Sequence, residues 1–188
     1  MVVSTKNNGD LSMRFTRQAE EANPAAEVIV ADFTPKDKEA IVNWLNKTLE
    51  IDQFSDSDHP LKGVIEVSTA LVDVDDVHAA IEKFSGEETN MTFTPKEFIA
   101  LTEVADMWKG HGNLFALDDQ VRAKKDLYDE RWPELRDYLL SDTYKTEMQD
   151  FEDVVDMFKE AHKTVYPENR TVIDDVDFGA NHNDGAVS

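Results

Sequence analysis

Two stretches sixty residues apart read almost identically: Phe33-Thr34-Pro35-Lys36-Asp37 and Phe93-Thr94-Pro95-Lys96-Glu97. Each sets a threonine where its hydroxyl can cap a helix, a proline at the first helical position, where no N–H is needed, and an acid three residues after the threonine to close a capping box. Both therefore predict abrupt helix starts. Behind the first come Ile41, Trp44, Leu45 and Leu49, and behind the second Phe98, Leu101, Ala105 and Trp108, the three- and four-residue spacing of a buried helix face. Phe93 and Phe98 are placed as a hydrophobic staple, and Gly110 with Gly112 provides a stop. The likeness of the two stretches is read as shared capping chemistry, not as a duplicated unit.

Further helices follow from the same signals. Asp73 opens one that carries Val74, Val77, Ile81 and Phe84 and stops at Gly86. Leu114 to Leu140 reads as helix with a kink or break near Trp132, because Pro133 cannot donate to the preceding turn. From Asp142 to about Val165, Tyr144, Met148, Phe151, Val155, Phe158 and His162 form one apolar stripe that Pro167 ends. Two short β-branched runs, Val28 to Ala31 and Val64 to Val67, can pair as strands. The expected fold is mainly α, five to six helices, with room for a small two-stranded sheet (α+β). Residues 1–25 are read as a flexible N-terminal arm, 26–166 as an acidic helical domain, and 167–188 as a disordered acidic tail.

Charge decides what such a domain can meet. The 188 residues include 40 Asp and Glu against 19 Lys and Arg, a formal charge of −21. Residues 1–25 are electrically balanced and 166–188 contribute −4, so −17 lies on the part expected to fold. Nucleic acid and anionic membrane are poor partners for such a surface, because binding to phosphate relies on clustered Lys and Arg, and no cluster is richer than Lys124-Lys125. A basic protein suits it better. There is no cysteine, hence no disulfide, thiolate metal site or thiol nucleophile. Met1 to Asp10 lacks the apolar run of a signal peptide, so residence in the cytoplasm of a cell or infected host is expected, and the sequons at Asn46, Asn90 and Asn169 are read as chance matches.

The acids are not evenly spread. Glu147, Asp150, Asp153, Asp156 and Glu160 recur every three or four residues along the last helix. At 1.5 Å of rise per residue this puts carboxylates roughly 4.5 to 6 Å apart along the axis, close to the phosphate repeat of one nucleic-acid strand. Asp126, Asp129, Glu130, Glu134 and Asp137 extend the acidic surface onto the preceding region, alongside Arg122, Arg131 and Arg136. Thirteen Lys against six Arg argues against a salt-adapted proteome as the source of this acidity. The expectation is a protein-interaction module of the DNA-mimic kind, an inhibitor of a nucleic-acid-binding or defence protein of the sort that a virus or mobile element encodes.

Other chemistry has less to stand on. Asp52, Asp56, Asp58 and His59, Asp73 with Asp75 and Asp76, and the tail after Asp174 offer hard oxygen ligands, but none has the ordered ligand spacing of an EF-hand. Asp73 to Asp76 is read instead as a helix cap and first turn. His59, His78, His111, His162 and His182 form no metal-binding pair; His78 and His162 are read as packed residues, and His111 as a general base with no nucleophile to serve. No catalytic residue, metal or cofactor is expected. The alternative function is a virion structural or assembly protein, or an adaptor, that packs against copies of itself as a homo-oligomer through Trp108, Phe115, Tyr128, Trp132, Tyr138, Tyr144, Phe151 and Phe158.

Overall fold

The computed structural model describes residues 14–20, 26–69, 71–111, 114–116 and 132–167, the side chains of 110, 111, 116 and 132 excepted. Among them are five α-helices and one three-stranded antiparallel sheet. In chain order these are β1 (Thr16–Ala19), β2 (Glu27–Asp32), α1 (Pro35–Ile51), α2 (Val74–Phe84), β3 (Asn90–Phe93), α3 (Pro95–Asp106), α4 (Trp132–Leu139) and α5 (Asp142–Val165).

Both repeated stretches do start helices, and both complete the capping box. Thr34 Oγ1 accepts from the Asp37 N–H at 3.1 Å while Asp37 accepts from the Thr34 N–H; Thr94 and Glu97 do the same for α3. Asp73 and Asp76 form a third box at the start of α2, where the sequence placed a cap. The two near-identical stretches differ at the residue after the acid, and so does their structure. Phe98 is fully buried, whereas its counterpart Lys38 is buried with its ammonium donating to the carbonyls of Gly86 and Glu88. That anchors the first turn of α1 to the segment that leads into β3.

The sheet differs from the expected one. Its strands run in the order β1-β2-β3, with Thr16 opposite Val30 and Ile29 opposite Phe93. Val64 to Val67 is not among the three strands; it meets the end of α1 through one parallel bridge between Asp52 and Ile65. Asp52 explains why. Its buried carboxylate accepts from the Val67 N–H at 2.7 Å and from the Phe54 N–H at 3.1 Å, so a side chain takes a donor that a neighbouring strand would otherwise satisfy.

Part of the expected N-terminal arm belongs to the domain. Besides supplying β1, it places Phe15 at 2% exposure, with its ring 5.5 Å from both Phe33 and Phe98 and 5.8 Å from Phe158. Burying one Phe contributes about 2 to 3 kcal/mol, enough to tie a short strand down.

The helices cover the sheet, with α5 against α3 and α1. Trp44 of α1 stacks on Phe158 of α5 with ring centres 5.6 Å apart. Trp108 lies in a π-helical turn, Met107–His111, that continues α3 and ends beside Gly110, where the sequence placed the stop. Pro133 falls in the first turn of the described helix α4, the position where its missing N–H costs least, in keeping with a break near Trp132; the rest of the expected helix, 117–131, lies outside the described residues. Residues 117–131 and 168–188 lie outside the described residues, and with them most of the proposed acidic tail.

Candidate partner-binding surface

The last helix runs from Asp142 to Val165 as its apolar period requires, with Ser141 as N-cap. Tyr144, Met148, Phe151, Val155, Phe158 and His162 are all buried. The acids between them do not form one straight row. A three-residue step falls about 60° short of a full turn, so a series repeating every three residues winds around the helix. Glu147 and Asp156, three steps apart, therefore lie on nearly opposite flanks, and each meets a different neighbour.

On one flank, Glu147 is 3.4 Å from Lys47 Nζ and accepts from the Tyr138 hydroxyl at 3.3 Å. Lys47 also holds Glu50 at 2.8 Å, and the His59 ring packs edge-on against Tyr138 at 4.9 Å. His59 Nδ1 accepts from the Leu61 N–H at 3.0 Å. Burial, then the nearby Lys47 charge, pushes the His59 pKa below its ordinary value, although Glu50 and Glu147 pull the other way. Burial, then Glu147, raises the Tyr138 phenol. Glu147 thus joins α1, α4 and α5 from within.

On the other flank, Lys109 Nζ bridges Asp156 at 2.6 Å and Glu152 at 3.2 Å, and Lys159 Nζ reaches Asp106 at 3.0 Å. Burial works against the Lys109 charge, yet the hydrogen bonds to Asp156 and Glu152 outweigh it and raise its pKa. These pairs clamp α5 to α3. Glu160 has an i, i+3 partner in Lys163 at 3.0 Å, with both side chains well exposed.

Asp150 and Asp153 are left on the face between the flanks. Both are exposed, and neither has an ion pair or hydrogen bond among the described residues. The pKa of Asp153 is raised by partial burial first and then by the neighbouring charges of Asp156, Asp150 and Glu152. The two border a groove of about 440 Å³ between α5 and the start of α1. Buried Ile41, Phe151, Val154 and Met157 line it beneath, and exposed Lys36 and Glu39 stand on the α1 side. An apolar floor with carboxylates on the rim suits a long cationic side chain, which lays down its methylenes and keeps its charge at the edge.

The second acidic group is only partly described. Asp126, Asp129 and Glu130 lie outside the described residues. Glu134 and Asp137 are exposed on α4, with Arg136 3.7 Å from Asp137.

Of the weaker candidates, Asp52 is committed to two backbone donors, and Asp73 and Asp76 to the cap of α2. Among the described residues no group of three or more acids and histidines is arranged to hold a metal. His162 is buried as expected, whereas His78 is exposed, because the buried face of α2 centres on Val77 and Phe84. The side chain of His111 and all of His182 lie outside the described residues. Trp108, Tyr144, Phe151 and Phe158 fill the core, with Phe115 and Tyr138 packed against it. Among the described residues only Phe54 and Leu140 are large apolar side chains left exposed. No described helix is long and apolar enough to cross a membrane. Comparison of the chain with protein-family models, curated proteins and solved structures returned no match.

Proposed function

We propose that the chain is a non-catalytic interaction module that presents carboxylates to a basic, nucleic-acid-binding protein and occupies the groove where that protein takes phosphates. The observation that carries this proposal is the pair Asp150 and Asp153. They are ionisable groups crowded by like charge, bordering an apolar-floored groove, and supplied with no counter-ion by the described residues. Mutual repulsion of this kind opposes folding and gains nothing unless a cation arrives from outside. Exposed Glu134, Asp137 and Glu160 add to the negative surface of the chain, which steers a basic partner toward it.

The test is affinity purification from lysate of a plausible host at low and at near-molar salt, followed by competition with duplex DNA. A mimic releases its partner as salt rises, because it replaces a polyanion in a basic groove, and DNA displaces it. A partner held equally at both salt concentrations, or bound to DNA and to this chain at once through the same groove, would refute the proposal. The alternative role in self-assembly draws less support from the described aromatic residues cited for it, which lie in or against the core, while Tyr128 and the side chain of Trp132 lie outside the described residues.

A further inference from the structure

The turn at 57–62 is held by side chains as much as by backbone. Ser57 Oγ accepts from the His59 N–H at 2.8 Å, His59 Nδ1 accepts from the Leu61 N–H at 3.0 Å, and the His59 carbonyl accepts from the Lys62 N–H at 2.9 Å. Pro60 has no N–H to contribute. Leu61 is fully buried, so leaving its donor without an acceptor is costly. An imidazole nitrogen that accepts carries no proton, and the proton of the neutral ring is therefore on Nε2. That atom is 3.7 Å from Glu50 Oε1, beyond hydrogen-bond reach.

The same ring touches α4. Its side chain is 9% exposed and stands edge-on to Tyr138, and a recess of about 290 Å³ separates His59, Pro60 and Lys62 on the turn from Glu134 on α4. The ionisable groups around the ring are Lys47 and Glu50 from α1, Glu147 from α5, Glu134 and the Tyr138 phenol from α4, and Asp58 and Lys62 from the turn itself. Lys47 is paired with both Glu50 and Glu147, so the two carboxylates that would welcome an imidazolium already share a cation.

We propose that His59 is a proton-operated latch between the 57–62 turn and α4. Protonation turns its acceptor nitrogen into a donor facing the Leu61 N–H, which opens the turn and parts it from Tyr138, loosening the helix that carries exposed Glu134 and Asp137. Burial and then Lys47 lower the His59 pKa in the closed turn, whereas a released ring titrates near 6.5. Opening is thus favoured progressively as pH falls from 6.5 to the folded value, and levels off below it. The device depends on the turn and stands whether or not the acidic face of α5 binds a partner.

Hydrogen exchange and ring signals followed by NMR on the full chain, from neutral to mildly acidic pH, test it. Exchange at Leu61, corrected for its intrinsic pH dependence, should quicken about tenfold for each pKa unit that separates the closed from the released ring. Amides of α4 should quicken with the same midpoint, while those in the middle of α3 and α5 stay protected. His59→Asn, which keeps an acceptor and does not titrate, should abolish the effect. Glu50→Gln removes a carboxylate that favours the imidazolium, and should move the ring titration and the acceleration together to lower pH. The proposal is overturned if the ring titrates while Leu61 stays protected, if exchange quickens equally throughout α3 and α5, or if a folded His59→Asn protein keeps the acceleration. Midpoints that separate in Glu50→Gln would overturn it equally.

Discussion

Lys109 Nζ and Asp156 Oδ1 are 2.6 Å apart, and the contact joins the π-helical turn that follows α3 to the middle of α5. Asp156 is therefore part of the scaffold, although it belongs by spacing to the same acidic series as Asp153. Asp156→Asn should lower the stability of the domain by no more than about 1 kcal/mol, because both partners remain about one-third exposed and the pair is screened by solvent. Binding of a basic partner should change little. Chemical denaturation beside a binding titration separates the two effects; a large loss of binding at unchanged stability would place Asp156 on the recognition face.

The indole of Trp108 donates to the Thr48 hydroxyl at 2.9 Å, and that hydroxyl donates to the Trp44 carbonyl at 2.9 Å. All of this is buried. Thr48→Val keeps the shape but leaves the indole N–H without an acceptor, and should cost about 1 to 3 kcal/mol. Thr48→Ser keeps the hydroxyl and should recover most of that. Equal melting temperatures for the Val and Ser variants would show that the hydrogen bond contributes nothing net.

Asp52 closes the loop after α1 by accepting two backbone N–H groups at 4% exposure. Asp52→Ala strands both donors, and should cost about 3 kcal/mol, which for a chain of this length is roughly 6 to 12 °C in melting temperature. Added Ca²⁺ should not stabilise the wild type through this residue. A calcium-dependent rise in melting temperature that Asp52→Ala removes would restore the metal reading of the Asp52 to His59 segment.

His59 gives the fold a pH dependence of known sign. Its folded pKa is lowered from 6.5, so its contribution to stability is present above that value and is lost as pH falls through the folded pKa. His59→Asn keeps an acceptor for the Leu61 N–H and removes the titration. The melting temperature of the variant should fall less than that of the wild type between neutral and mildly acidic pH. Parallel curves would contradict the assigned environment.

The helix starts were legible because capping is local: Thr34, Asp73 and Thr94 each find their partner three residues on. The apolar stripe of α5 was legible for the same reason. Strand β1 was not, since Thr16-Arg17-Gln18-Ala19 has no alternating apolar pattern and is held by pairing with β2 and by the burial of Phe15. Strand β3 is hidden in the sequence by the helix signal that follows it, since Phe93 serves both as the staple of α3 and as the end of a four-residue strand in which Met91 and Phe93 alternate inward. For the acidic face, spacing alone gave the carboxylates but not their division. Whether Glu147 or Asp150 is engaged depends on where Lys47 and Lys109 arrive from distant helices, which no local pattern encodes.

If Asp150 and Asp153 are kept for an outside cation, removing their charge should help the fold and harm its use. Asp153 has a raised carboxyl pKa, so its ionisation works against the folded state above its ordinary value of 3.8, and the effect disappears at more acidic pH. The decisive measurement is the melting temperature and partner affinity of Asp150→Asn/Asp153→Asn at neutral pH and low salt. The account predicts a gain of about 1 to 3 °C, discounted for the exposure of both groups, together with at least about a tenfold loss of affinity. Unchanged affinity in a protein that folds normally would contradict it.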